Sequence, residues 1–158
     1  MLLHLLRHAD AGDPNAWQGP DAIRPLSAKG RRQSKRLGDH LAAIGFTTDV
    51  IVTSPKVRAE QTADLVGERL GASVTVDDRL GGGFDLEALD ELLTDVGDPQ
   101  RIIVVGHDPD FSETLSALCG SQLEMKKGAF ARIEVDRPLR AGHGTLRWLL
   151  PPDALKDR

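Results

Sequence analysis

Chemistry-bearing residues begin almost at once in this chain. The apolar run Leu2 to Leu6 delivers Arg7 and His8 together at its end. A guanidinium is a fixed fork of donors that suits an oxyanion, and an imidazole beside it can serve as nucleophile or as acid and base. An isolated pair of this kind is explained as well by a surface ion pair and a strand-end cap. What matters is whether Arg24, Arg58 and His107, far apart in sequence, are brought to the same place.

The elements needed to do so can be read from hydrophobic patterning. Leu2 to Leu6 reads as a strand buried on both faces, the usual condition of a central strand in a parallel sheet. A loop rich in Gly, Pro and Asp follows from Ala11 to Pro25, and Ser27 then caps a helix with apolar residues Leu37, Leu41 and Ile44 that stops near Gly45. Asp49 to Thr53 is a second strand, and Ser54-Pro55 reads as the cap and first position of a helix with inner residues Ala59, Ala63, Val66 and Leu70. That placement leaves Arg58, Gln61 and Thr62 in its first turns, available to a pocket. A weak strand at Ser73 to Val76, the Gly81 to Gly83 segment and a helix with Leu86, Leu89, Leu93 and Val96 come next. Arg101 to Val105 is a strong buried strand, followed by Gly106-His107-Asp108-Pro109 and a helix marked by Phe111, Leu115 and Leu118, with Asp108 as its cap. Ala129 to Val135 and Thr145 to Leu150 read as a hairpin.

This order predicts a three-layer α/β/α domain with a mostly parallel, mixed sheet and an antiparallel element near the C-terminus. One domain is expected over residues 1–150, with a polar tail at 151–158. Right-handed crossovers put the loops after successive parallel strands along one edge, where such folds bind ligands. Arg7, His8, Arg58 and His107 then gather there with the glycine rim and two helix N-termini, a setting for a phosphate. A neutral imidazole nitrogen attacks phosphorus competently, and arginines stabilise the charge of a transferring phosphoryl group.

Composition narrows the alternatives. A net charge of −4 speaks against general affinity for nucleic acid or acidic membranes. No apolar run approaches the roughly 20 residues of a membrane helix. Cys119 is the lone cysteine and the N-terminus lacks the pattern of a signal peptide, so a cytoplasmic address is expected.

Four ordered stretches carry a resemblance: LLRHADA at Leu5 to Ala11, RPLSAKG at Arg24 to Gly30, VTSPKVRAEQTA at Val52 to Ala63 and VVGHDP at Val104 to Pro109. The chain resembles the histidine phosphatase superfamily, the phosphoglycerate mutase-like group, and within it the small phosphohistidine phosphatases of the SixA type. The resemblance implies that His8 is transiently phosphorylated and that Arg7, Arg58 and His107 bind and polarise the phosphoryl group, with Arg24 a further candidate for substrate contact. It implies no metal and no cofactor. The expected substrate is a phosphorylated protein bearing phosphohistidine, or alternatively a small phosphate ester, with inorganic phosphate as product and a monomer as the working form. A non-catalytic phospho-ligand module is the alternative of another class. Mutase activity is disfavoured because the chain is too short to roof the site against water.

Two departures from the family pattern stand out. Arg-His-Gly reads Arg7-His8-Ala9, and the Leu-x-Glu that supplies a general acid in larger relatives reads Leu80-Gly81-Gly82. Asp10, Asp78 and Asp85 are nearby substitutes in sequence. An alkoxide needs a proton to leave a phosphate ester, whereas imidazole leaves a phosphoramidate far more easily, so the missing acid favours a P–N substrate. Elsewhere His4 reads as a packed strand residue, His40 and His143 as solvated, and Lys126-Lys127 as a solvated pair.

Overall fold

A computed structural model describes residues 1–156, so the last two positions of the expected tail lie outside the described residues. Its strands are β1 (Leu2–Arg7), β2 (Val50–Thr53), β3 (Val74–Val76), β4 (Arg101–Gly106), β5 (Phe130–Glu134) and β6 (Thr145–Leu150). Its α-helices are α1 (Ala28–Ala43), α2 (Val57–Leu70), α3 (Leu86–Asp95) and α4 (Asp110–Cys119). The sheet runs β3-β2-β4-β1-β5-β6, with β1 to β4 mutually parallel and β5 antiparallel to both β1 and β6. This is the expected three-layer mixed α/β fold.

The central strands are apolar on both faces because both are covered. Leu6, Ile51, Ile103 and Val105 pack with Leu37 and Leu41 of α1 and Ala59, Ala63 and Val66 of α2. Leu3, Leu5, Val52, Ile102 and Val104 pack on the opposite face with Leu89, Leu92 and Leu93 of α3 and Phe111, Leu115 and Leu118 of α4. Removing a buried leucine here should cost about 2–5 kcal/mol. No helix of the described residues is long and apolar enough to cross a membrane.

Several boundaries differ from the sequence expectation. Ile44 is the C-cap of α1 and exposed rather than part of its inner stripe. Helix α2 starts at Val57, not at Pro55, with Lys56 as an N-cap that has no side-chain bond, while Ser54 Oγ accepts from Lys56 N at 3.2 Å and lies 2.6 Å from His107 Nε2. Likewise α4 starts at Asp110 with Pro109 as N-cap, while Asp108 accepts from Ser112 N at 2.9 Å and Ser112 Oγ at 2.6 Å. Pro152–Leu155 form a 3₁₀ turn, with Pro152 buried and Leu155 packed against the core, so the C-terminal segment folds back onto the domain at its start.

Two glycines are required by close approach. A Cβ on Gly30, in the first turn of α1, would lie 1.9 Å from the Asp10 carbonyl oxygen. One on Gly106 would lie 2.6 Å from the Phe111 ring. Both glycines let the chain pass closely by the residues that follow the ends of β1 and β4.

Candidate active site

Strand register determines what meets at the sheet edge. Arg7 lies opposite Gly106, and Thr53 opposite Val105, so β1, β4 and β2 end in step. The residues that follow, His8, His107 and Ser54, leave the sheet side by side, with His8 N donating to Gly106 O and Ser54 N to Val105 O, each at 3.0 Å. The two imidazole centroids are 5.1 Å apart. Arg7 closes β1 and Arg58 lies in the first turn of α2, so four of the five sequence candidates meet at the edge of β1, β2 and β4.

His8 Nδ1 lies 2.7 Å from its neighbour's carbonyl, Ala9 O. A carbonyl only accepts, so Nδ1 carries the ring proton and Nε2 keeps a lone pair. Burial, opposed by the Ala9 bond and reinforced by Arg58, Arg7 and Lys127, lowers the His8 pKa to about 4. His107 is lowered to about 3 by burial and by His8, Lys56 and Arg58, against a small upward pull from Asp21. Both imidazoles are therefore neutral at pH 7. Ala9 is tolerated in place of glycine because the turn needs no positive φ, Asp98 being the non-glycine residue that has one among those described.

The two arginines are held by their outer nitrogens. Arg7 Nη1 donates to Met125 O at 2.8 Å and faces Asp108 Oδ2 at 3.4 Å. Arg58 donates from Nη1 to Asp21 O and from Nη2 to Asp21 Oδ2, both at 2.9 Å. Their Nε groups are buried and find no partner in the protein, and neither does His107 Nδ1. Buried polar atoms are nearly always bonded. Among the described residues four such atoms lack a partner, and three of them belong to this one cluster, which marks it as a site for an oxyanion.

Arg24 is placed differently. It is buried, donating from Nη1 to Ala11 O at 2.7 Å and from Nε to Asp21 Oδ1 at 3.2 Å. It thus organises the Ala11 to Pro25 loop and reaches Arg58 through their shared carboxylate. Burial works upward on Asp21, but its bonds to Arg58 and Arg24 outweigh it and hold the carboxyl below the usual range.

Gln61 and Thr62 are ties rather than pocket groups: Gln61 Oε1 accepts from Leu26 N at 2.9 Å and Thr62 Oγ1 from Ala9 N at 3.1 Å. Each satisfies a loop amide that lacks a ladder partner. Asp10 accepts from Ser27 Oγ at 2.6 Å, and this bond, partly offset by burial, lowers its pKa. Asp78 is exposed in a 3₁₀ turn, and Asp85 is exposed and caps α3 through Ala88 N at 2.9 Å. Asp10 and Asp85 are thus committed to ties of their own, and Asp78 faces solvent. Asp21 and Asp108 are members that sequence reasoning did not place in the site, while Ser54, whose turn is expected at this edge as a helix cap, has its hydroxyl 2.6 Å from His107 Nε2. A carboxylate three residues before Arg24, on a loop above a basic site, was the one signal for Asp21. No group of three or more His, Cys, Asp or Glu among the described residues is arranged to hold a metal ion.

The model of the histidine phosphatase superfamily (branch 1) matches residues 3–82. An uncharacterized protein of Picosynechococcus is 30% identical, with 96% of this chain and all of that protein covered. Phosphohistidine phosphatase SixA of Escherichia coli K12 is 28% identical, over 99% of this chain and 97% of the relative. The structure of the protein histidine phosphatase SixA complexed with tungstate superposes with a TM-score of 0.86 at 26% identity, covering 99% of this chain and 100% of that one.

Proposed function

This chain belongs to the histidine phosphatase superfamily (branch 1), and from that premise we propose that it is a phosphatase working through a phosphohistidine on His8, with phosphohistidine in proteins as its substrate. The observation that carries the reading is the pairing of a free lone pair with a ready oxyanion cradle. His8 Nδ1 is committed to Ala9 O, and the unpartnered Nε donors of Arg7 and Arg58 lie around it with the unpartnered Nδ1 of His107.

In the first step the Nε2 lone pair of His8 attacks phosphorus and the bond to the leaving group breaks. A substrate phosphoimidazole protonated on its other nitrogen departs as neutral imidazole, keeping the P–N electron pair and asking no proton of the protein. The arginine donors and His107 hold the phosphoryl oxygens throughout. In the second step water attacks the same phosphorus, and His8 leaves as a neutral imidazole with its Nδ1 proton in place. The water proton passes to solvent and phosphate is released.

Both departures have the same chemistry and ask no proton of a carboxyl, and the position of the family's acid is Gly82 here, which supports a P–N substrate. Asp21, the carboxylate bonded to Arg58, is held ionised by its arginines and is a poor proton donor near pH 7.

The test offers the protein a phosphohistidine-bearing protein and a panel of phosphate esters, with EDTA present, beside His8→Ala. Expected are turnover of the phosphohistidine protein, an alkali-stable, acid-labile phosphoryl adduct on the wild type, and neither in the variant. Preference for the esters would reassign the substrate, and unchanged turnover by His8→Ala would remove the proposed nucleophile.

A further inference from the structure

Of the groups around the two imidazoles, Ser54 has no part in the scheme above. It is fully buried at the end of β2, and its Oγ lies 2.6 Å from His107 Nε2. We propose that Ser54 is a positioning residue that holds His107 in its Nδ1–H form, so that this histidine meets the phosphoryl group as a hydrogen-bond donor. The inference rests on the phosphatase reading for its purpose, though not for its geometry.

The argument is an inventory of protons. A neutral imidazole carries one N–H, and a serine hydroxyl carries one proton and can accept twice. Ser54 Oγ already accepts from Lys56 N at 3.2 Å. If His107 Nε2 also donated to it, Oγ would receive two hydrogen bonds and its own proton would be buried with no acceptor. If Ser54 donates to Nε2 instead, every group in the chain Lys56 N–H, Ser54 O–H and His107 Nε2 is satisfied. The ring proton must then sit on Nδ1, one of the buried atoms without a protein partner. With the opposite tautomer, Nδ1 would present a lone pair to the phosphoryl oxygens and repel them.

The serine itself is well fixed. Its backbone N–H donates to Val105 O at 3.0 Å, and its carbonyl accepts from Thr53 Oγ1 at 3.1 Å.

The test reads the tautomer directly. Long-range ¹H–¹⁵N correlation on the full-length labelled protein at pH 7 distinguishes the two ring nitrogens, with the His107 signals assigned by their loss in His107→Asn. The wild type should show protonated Nδ1, and inorganic phosphate should shift that resonance. Ser54→Ala should move the proton towards Nε2 and lower kcat about 10- to 100-fold, less than the loss on deleting an oxyanion donor outright. Ser54→Thr, which returns a hydroxyl, should restore both.

A wild-type His107 protonated on Nε2, an Nδ1 signal indifferent to phosphate, or an unchanged tautomer in Ser54→Ala would each overturn the proposal. Should the alanine variant not fold, the wild-type spectrum and its phosphate response decide alone. A protonated Nδ1 that responds to phosphate, in a protein that turns over no phosphoryl compound, would sink the phosphatase reading and leave the role of Ser54 standing.

Discussion

His4 and His8 stand four residues apart at and just beyond β1, and by most measures they are alike. Each is buried, each bonds a backbone carbonyl through Nδ1, His4 to Ile102 O at 2.9 Å, and each has a pKa lowered to about 4 with burial as the main cause. They part at the second nitrogen. His4 Nε2 accepts from Arg132 Nε at 3.0 Å, its ring stacks on Phe130 and meets Phe46 edge-on, and Arg132 is in turn laid over Trp148 at 3.7 Å. The one side-chain bond of His8 is that of Nδ1 to Ala9 O, which leaves Nε2 open, and the arginines near it keep buried, unpartnered Nε groups. One region is a closed polar core and the other an open one, and burial or a shifted pKa does not tell them apart. The unsatisfied nitrogen does.

The largest effect should follow from deleting the open nitrogen. His8→Ala is expected to lower turnover by about 10⁴-fold or more, as losing a covalent nucleophile does, while His4→Gln, which keeps an acceptor for Arg132, should leave kcat at the wild-type level in steady-state assays. A catalytic defect in folded His4→Gln would break the contrast. Next come the donors: His107→Ala and Arg58→Ala should each cost about 10²- to 10³-fold in kcat, against no loss for Arg132→Lys. Smaller again is Asp21→Ala, which removes the side-chain tether of Arg58 and leaves the bond to Asp21 O. Roughly tenfold in kcat is expected, within the range for positioning groups, read by steady-state kinetics on a phosphohistidine protein.

How much of this was open to sequence reading follows the same division. The strands, the sheet edge and the residues at the strand ends were legible because two-sided burial and the abrupt arrival of Arg7, His8 and His107 are local patterns. The partners that finish the site were not. Ser54 before Pro55 has the sequence signature of a helix cap, and only the register of β2 against β4 puts it on His107 instead. Asp108 likewise serves Ser112 and Arg7 at once. Asp21 belongs to a loop whose path is set by Arg24, Gln61 and Gly30, each acting across a long stretch of chain. Gln61 and Thr62 were misread for the converse reason: polar residues on the inner turn of a helix can tie loops as readily as line a pocket.

The smallest effect tests what the two histidines share. Both have folded pKa values of about 4 against an unfolded value of 6.5. Between those limits the unfolded chain binds protons that the folded one refuses, so stability rises with pH across the window and is lost as pH falls from 6.5 towards 4. Each histidine contributes at most about 1.4 kcal/mol per pH unit to that slope. His4→Gln and His8→Gln should therefore flatten the dependence of stability on pH, measured by urea unfolding between pH 4.5 and 6.5, by about the same amount. Only His8→Gln should abolish turnover. Equal flattening with unequal activity would mean that the titration reports burial alone. A slope changed by His8→Gln but not by His4→Gln would show that the Arg132 cluster opens before the domain unfolds, and that the closed core is less closed than its hydrogen bonds imply.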